Sequence, residues 1–448
     1  MANQVITRNA NPSYLERFDV VSNKDQSKTV SLLGKGSAIE LMYFESILQD
    51  SVKATYTYAD AGKTIDDKSA LEGLPIVGEE KVNLKFKDHN ENTIDIVLYV
   101  NKVTTLSDDT TKSVVQLELS SKEFIMNEKV RLNVRFDGKI SDYIETILTS
   151  PNFLGTEKKC EIEPCSNNYN FCGNNKKPFY TMNWLSTKTV PDLPNTYGNT
   201  AGYLFFETSE GFKFKSIDSL FSQEKKKSII FNQSPDSAGK NIPAGYDVKA
   251  LEYSRDNRVN VQEKLKMGAY STRTVLFDPF TCYYEVVVEN AKDKESSLKL
   301  AGKELPVLNP EFNREGANKD FSRTTYMLLD KGTLPTGNTT QQVEKSKEEN
   351  FNPKQILNQS IRRYNQMFSI KSKVTIPGDF SLHAGDVVFC DSKQLAAADE
   401  EINDEYGGLY IIADLCHYIT PKETYTKLNL VRDSFGRVGN HTSGKIPL

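Results

Sequence analysis

The chain has 448 residues, 56 basic against 60 acidic side chains and a formal net charge of −4 at pH 7. That length allows roughly three domains of about 150 residues, each able to bury a core, and a near-neutral balance with a pI of about 5.8 argues against a duplex-binding protein that must neutralise phosphates. No window approaches the roughly 20 apolar residues that span a bilayer and Met1-Ala2-Asn3-Gln4-Val5 starts no apolar signal core, so the expectation is a soluble protein with no secretory signal and no membrane insertion.

Residues 1–128 read as mostly β. Period-two alternation marks strands from Val52 to Tyr58, at Val82-Leu84-Phe86, at Ile94-Ile96-Leu98-Val100 and at Val115-Leu117-Leu119, a spacing that suits an antiparallel barrel or sandwich and not a βαβ unit. Around Ser141 the period changes to that of a helix, with Tyr143, Ile144, Ile147 and Leu148 on one face, Ser141 or Asp142 as cap and Pro151 just beyond. This begins an α+β middle unit over residues 129–225, aromatic-rich around Phe171, Phe179, Tyr180 and Trp184.

Strands return in a third unit, residues 226–435, at Asp247–Leu251, Thr274–Phe277 and Tyr283–Val288. From about 291 to 350 the sequence turns polar, and Gly332, Pro335 and Gly337 predict a flexible excursion that need not be ordered. A helix is expected from Asn352 as cap and Pro353 as first position, with Ile356, Leu357, Ile361, Tyr364 and Phe368 at helical spacing. It feeds an alternating strand in which Phe368, Ile370, Val374 and Ile376 share one parity, broken only by Ser372. Turns at Pro377-Gly378-Asp379 and Ala384-Gly385-Asp386 lead to Val387-Val388-Phe389-Cys390. Gly408-Leu409-Tyr410-Ile411-Ile412 is apolar on both faces, so a strand covered on both sides runs on to Ile419. Thr420–Thr424 reverse the chain into a closing strand with Leu428 and Leu430 on one face and Lys427 and Asn429 on the other, and residues 436–448 form a tail. No internal repeat is visible.

Chemistry finds little purchase. Gly34-Lys35 and Gly62-Lys63-Thr64 lack the glycine five positions upstream that a phosphate loop requires: Thr29 and Thr57 stand there. There is no G-x-S-x-G elbow and no H-E-x-x-H helix. The six cysteines are too sparse for a disulfide framework. Cys160, Cys165 and Cys172 cluster but lack a fourth ligand, and read as unligated or adventitiously paired thiols rather than a zinc site. His383 near a turn and His417 in a strand read as packing or solvent-contact residues. The runs Lys225-Lys226-Lys227 and Arg362-Arg363 read as solvated surface, and the 21 Tyr and 23 Phe as strand formers and subunit contacts. No catalytic, cofactor-binding or metal residue is assigned, and no cofactor.

Three fragments carry a family resemblance. The first is Phe380-x-Leu382-x-Ala384-Gly385-Asp386-x-Val388, then Gly408–Ile412, His417 and Tyr425-Thr426-x-Leu428-x-Leu430-x-Arg432-Asp433. The others are Gly211-Phe212-Lys213-Phe214-Lys215-Ser216-Ile217-Asp218-Ser219-Leu220 and Phe136-Asp137-Gly138-Lys139-Ile140-Ser141-Asp142-Tyr143-Ile144. In this order they resemble the central baseplate hub of contractile-tailed phages, a family shared with type VI secretion spikes. The resemblance implies a mainly β chain in which two tail-tube-like antiparallel β-barrel domains, 1–128 and 226–435, flank the smaller α+β domain. It implies a structural, non-enzymatic homotrimer in the virion tail baseplate, assembled in the host cytoplasm. Its partners would be the tail tube protein, a spike that sometimes bears a lysozyme and the surrounding baseplate proteins, with DNA passing through unbound. No catalytic or ligand role attaches to His417, Arg432 and Asp433, for which a buried ion pair at a strand end is expected. A β-rich cell-wall glycan hydrolase and a carbohydrate-binding tail adhesin are the alternatives.

Overall fold

The computed structural model describes residues 12–34, 37–62, 64–65, 67–192, 202–231, 242, 245–256, 260–279, 281–290, 298–306, 309–316, 319–333, 337–350, 352–392 and 403–438. The Met1–Val5 segment, Lys35, Lys63, Pro335 and most of the expected tail lie outside them, as does the side chain of Leu357.

The chain is mostly β. The first seven strands are β1 Tyr14–Val21, β2 Thr29–Ser31, β3 Ala38–Ser46, β4 Lys53–Asp60, β5 Lys81–Lys87, β6 Thr93–Asp108 and β7 Ser113–Ser120. They lie side by side in the order β3-β4-β7-β6-β5-β1-β2. Alternation works as expected: Val82, Leu84 and Phe86 enter the core while Lys81, Lys85 and Lys87 stay outside it. Phe18, Tyr43, Tyr56, Phe86 and Leu117 form that core. β6 extends well past Val100, because a bulge between Val100 and Lys102 bends it away from β5 and onto β7.

The middle region contains β8 Arg135–Lys139, β9 Cys160–Ile162, β10 Asn168–Cys172, β11 Tyr203–Thr208 and β12 Gly211–Ser216, with helices Ile140–Thr149, Pro178–Ser186 and Ile217–Ser222. The first helix buries Tyr143, Ile144, Ile147 and Leu148, as the periodicity predicts, but its cap is Lys139 and not Ser141 or Asp142. Phe136, Phe171, Phe179, Phe205 and Phe212 fill the centre. Gly211 (φ 132°) is required by close approach: a Cβ there would stand 2.1 Å from the Lys159 carbonyl, which accepts from the Phe212 amide.

The remaining strands are β13 Lys227–Phe231, β14 Val248–Lys249, β15 Glu252–Asp256, β16 Ser271–Asp278, β17 Tyr283–Asn290, β18 Arg323–Leu328, β19 Ile370–Pro377, β20 Val387–Ser392, β21 Gly408–Ile419 and β22 Thr424–Arg432. Parallel and antiparallel ladders place them as β14-β13-β20-β21-β22-β19-β15. β19 buries Ile370, Val374 and Ile376 on the predicted parity, and Ser372 with them. β21 is covered on both sides where expected, with Tyr410, Ile411 and Ile412 all buried. Its first half pairs with β20 and its second half with β3, while β22 runs along its other edge. A bulge between Ile412 and Asp414 sits at that exchange of neighbours. One strand therefore joins both groups into a 14-stranded sheet. The 247–256 segment is strand only at Val248–Lys249 and again from Glu252. Its Ala250 amide bonds Ile230 of β13 and its Leu251 amide bonds Thr375 of β19, spanning the two ends of the group.

Two departures stand out. The strands around Thr274 and Tyr283 do not join the long sheet; β17, β16 and β18 make a separate one, and Leu276, Val287 and Met327 pack it onto the middle core. The 291–350 stretch is not uniformly irregular where described: it supplies β18 and a helix Thr339–Lys347, closed by a capping box in which Asn338 and Gln341 satisfy each other's amides. Charge and polarity suggested flexibility, but alternation in Thr324, Tyr326 and Leu328 carries the strand. The helix Pro353–Met367 forms as predicted, with Asn352 accepting from the Lys354 amide.

Candidate functional site

Buried polar groups converge where the first seven strands, the middle region and the last strands meet. Glu45 lies at the end of β3 on the parity of Leu41 and Tyr43, and so points inward. Its carboxylate accepts from the Ser209 amide at 2.7 Å, the Ala384 amide at 2.9 Å and the Tyr43 hydroxyl at 2.8 Å, and His383 Nδ1 lies 3.3 Å away. One carboxylate thus ties β3 to the β11–β12 hairpin and to the turn before β20. Asp386 completes that turn by accepting from the His383 amide at 2.8 Å and pairing with Lys226 at 2.9 Å. A further cross-tie runs from the Phe380 amide to Asp88, 2.9 Å.

The electrostatics follow from this packing. Burial opposes the charge on Glu45, yet the hydrogen bond and charge of His383 and the two amides outweigh it and lower the carboxyl to about 2. Burial likewise opposes protonation of His383, but Glu45, then Asp386 and Glu210, raise it above the ordinary histidine value. His417 is the opposite case. It is buried against Tyr43 and Phe380 with Nδ1 3.0 Å from Thr426 Oγ1, and burial pulls it down to about 3.

A second buried centre forms around an arginine of the Pro353–Met367 helix. Arg363, 1% exposed on its side chain, bridges Asp218 at 2.9 Å and Asp433, and also donates to the Lys299 carbonyl at 2.6 Å. Asp433 accepts in addition from the Ala301 amide at 3.0 Å and the Ser434 hydroxyl at 2.6 Å. Burial works against the guanidinium charge, and the two aspartates reverse this and raise it. This corrects two expectations. Arg362-Arg363 is not solvated surface: both side chains are buried. The ion pair at the strand end exists, but its cation is Arg363; Arg432 instead donates to the carbonyls of Ser434, Gly407 and Gly436. Lys158 makes a third link, bridging Glu123 at 2.7 Å and Glu207 at 2.6 Å, and Glu207 accepts from the Val52 amide at 3.0 Å.

The other predicted positions are dispersed. Cys165 is buried and its sulfur accepts from the Ser141 amide at 3.2 Å, Cys160 opens β9, and Cys172 ends β10 exposed. Among the described residues no three His, Cys, Asp or Glu side chains are grouped to hold a metal ion. Lys226 and Lys227 bind Asp386 and Asp379, so the lysine run is partly drawn into the joint. A groove of about 690 Å³ near Met267, Phe368 and Leu430 is lined by none of the groups of the two buried centres. Donors from distant parts of the chain itself bind these carboxylates, an arrangement that fixes elements against one another.

No protein-family model and no curated protein matches the chain in sequence. Solved structures do resemble it. The 43 kDa tail protein of prophage MuSo2 from Shewanella oneidensis superposes with a TM-score of 0.52 at 9% identity, covering 93% of this chain and 98% of that one. A tail protein from Neisseria meningitidis MC58 does so with a TM-score of 0.52 at 8% identity, covering 94% and 97%. The chain has the fold of these tail proteins.

Proposed function

We propose that the chain is the structural hub of a phage tail baseplate. Three copies would form a ring whose two β-domains per subunit, residues 1–128 and 226–435, are of tail-tube type and flank the 129–225 domain. The observation that carries this reading is the fold shared with two tail proteins, one of them from a prophage, over nearly the whole length of each chain. The joint supports it. Its charged groups tie three regions of the chain together through bonds within the chain, which supports a role in assembly and force transmission. The 247–256 segment, bonded to β13 and to β19, supports the barrel reading of the last β-domain.

The ring would join the tail tube protein on one side and the spike on the other, surrounded by other baseplate proteins in the virion. Murein cleavage would belong to the spike partner. The slight excess of acidic over basic side chains supports passage of DNA without binding. Light scattering on the purified protein tests the reading. A mass of three chains, alone or on adding the spike, is expected, with an axial hole in particle images. A monomer under both conditions, or murein hydrolysis abolished by changing one carboxylate of this chain, overturns it.

A further inference from the structure

The sheet β17-β16-β18 has one covered face and one open one. Its inner face is used, lying on the middle core through Leu276, Val287 and Met327. On the outer face the register sets Tyr284, Phe277 and Leu328 side by side in one row, and Val286, Val275 and Tyr326 in the next. Tyr284 is 68%, Tyr326 78% and Leu328 64% exposed, and Phe277 and Val286 are exposed as well. A sheet face turned to water ordinarily carries polar side chains. Here charge enters only in the third row, where Arg273 stands between Val288 and Thr324 and lies over the Phe321 ring at 5.0 Å.

Two arguments choose the occupant. With about 150–250 Å² per large aromatic side chain, the two apolar rows leave about 500 Å² open, near the upper end of what a monomer tolerates and most of the roughly 800 Å² that each partner gives to a standard interface. Contacts with transient partners are no more apolar than the rest of a surface, whereas contacts between permanent copies are more apolar and poor in charge at their centre. Both central rows are free of charge. We infer that the outer face of β17-β16-β18 is a subunit contact, covered in the assembled protein by a second copy of this chain. This rests on the ring reading above and adds to it the surface through which the copies meet.

The test uses the full chain and a Tyr326→Ser/Leu328→Asp double variant. Light scattering across a dilution series is expected to give a trimer for the unaltered chain and a monomer for the variant, with the same melting temperature at equal dilution once both are monomeric. Hydrogen exchange of the unaltered chain is expected to show amides of residues 283–288 and 323–328 protected at high concentration and released on dilution. An intact trimer in the variant together with concentration-independent exchange overturns this surface and leaves the ring standing. A monomer at every concentration for the unaltered chain, alone and with the spike added, overturns both. If the double variant fails to fold, Tyr284→Ser on the opposite edge strand and the exchange measurement decide the matter.

Discussion

At the joint, Glu45, Asp218, Arg363 and Asp433 are charged and buried; on the outer face of β17-β16-β18, Tyr284, Tyr326 and Leu328 are apolar and exposed. Each region inverts the usual rule that hydrocarbon goes in and charge stays out. The inversion has two causes. A buried charge is tolerable only with its partners supplied in fixed geometry, and here they come from sequence positions far apart, so the charges enforce one arrangement of the strands and helices that carry them. Among the described residues the exposed apolar rows have no such partner, and the proposed second copy would supply it.

The comparison predicts opposite responses to substitution. The largest effect belongs to Arg363→Met, which strands Asp218 and Asp433 together in the interior; a loss of about 3–5 kcal/mol is expected, read by denaturant unfolding. A change under about 1 kcal/mol would mean that the centre is solvated and the contrast false. Glu45→Gln keeps the shape but gives up the ionic contact with His383 and weakens the bonds to the Ser209 and Ala384 amides. About 1–3 kcal/mol is expected, with the loss falling on the docking of the 380–386 turn and visible as faster exchange of the Ala384 amide.

Dependence on pH comes next. His417, lowered to about 3, favours the folded state fully above the ordinary histidine value of about 6.5, and that contribution is lost as pH falls from there towards 3. Glu45, at about 2, adds a loss on the same side that begins below about 4.5. His383 is raised, so its contribution is complete below about 6.5 and fades as pH climbs through its folded value. Stability should therefore decline on both sides of a maximum near neutrality, and His417→Gln should flatten the upper part of the acid limb in melts taken from pH 7 to 4. The smallest effect is expected at the exposed rows: in the dissociated chain Tyr326→Ser should change stability by less than about 0.5 kcal/mol. A loss comparable to that of the joint variants would show that the face is covered within one chain.

Much of this architecture was legible residue by residue. Alternation found β4, β5, the first half of β6, β7, β19, β21 and β22, because each has one wet face or a continuous apolar run. β1 and β3 escaped, and β3 for an instructive reason: Leu41, Tyr43 and Glu45 share a buried parity, so the strand ends in a charge at a core position. The same signal lay in the 353–367 helix. Ile356, Ser360, Arg363 and Met367 recur at spacings of four and three, and all are buried; an arginine inside such a stripe points inward. Its partners Asp218 and Asp433 stand 145 and 70 positions away, a separation that no local pattern reveals. The separate sheet was missed in the same way. Periodicity identified β16 and β17 as strands but not the sheet they would join, which depends on β18 from beyond a long polar stretch.

β21 has twelve residues, and at about 3.4 Å each it is a rod of roughly 40 Å that both groups of strands grip along its sides. A pull directed along that rod loads its ladder bonds in shear, many at once, instead of peeling them one after another. A load applied lengthwise would meet its stiffest path there, interrupted at the bulge between Ile412 and Asp414 where the grip changes hands.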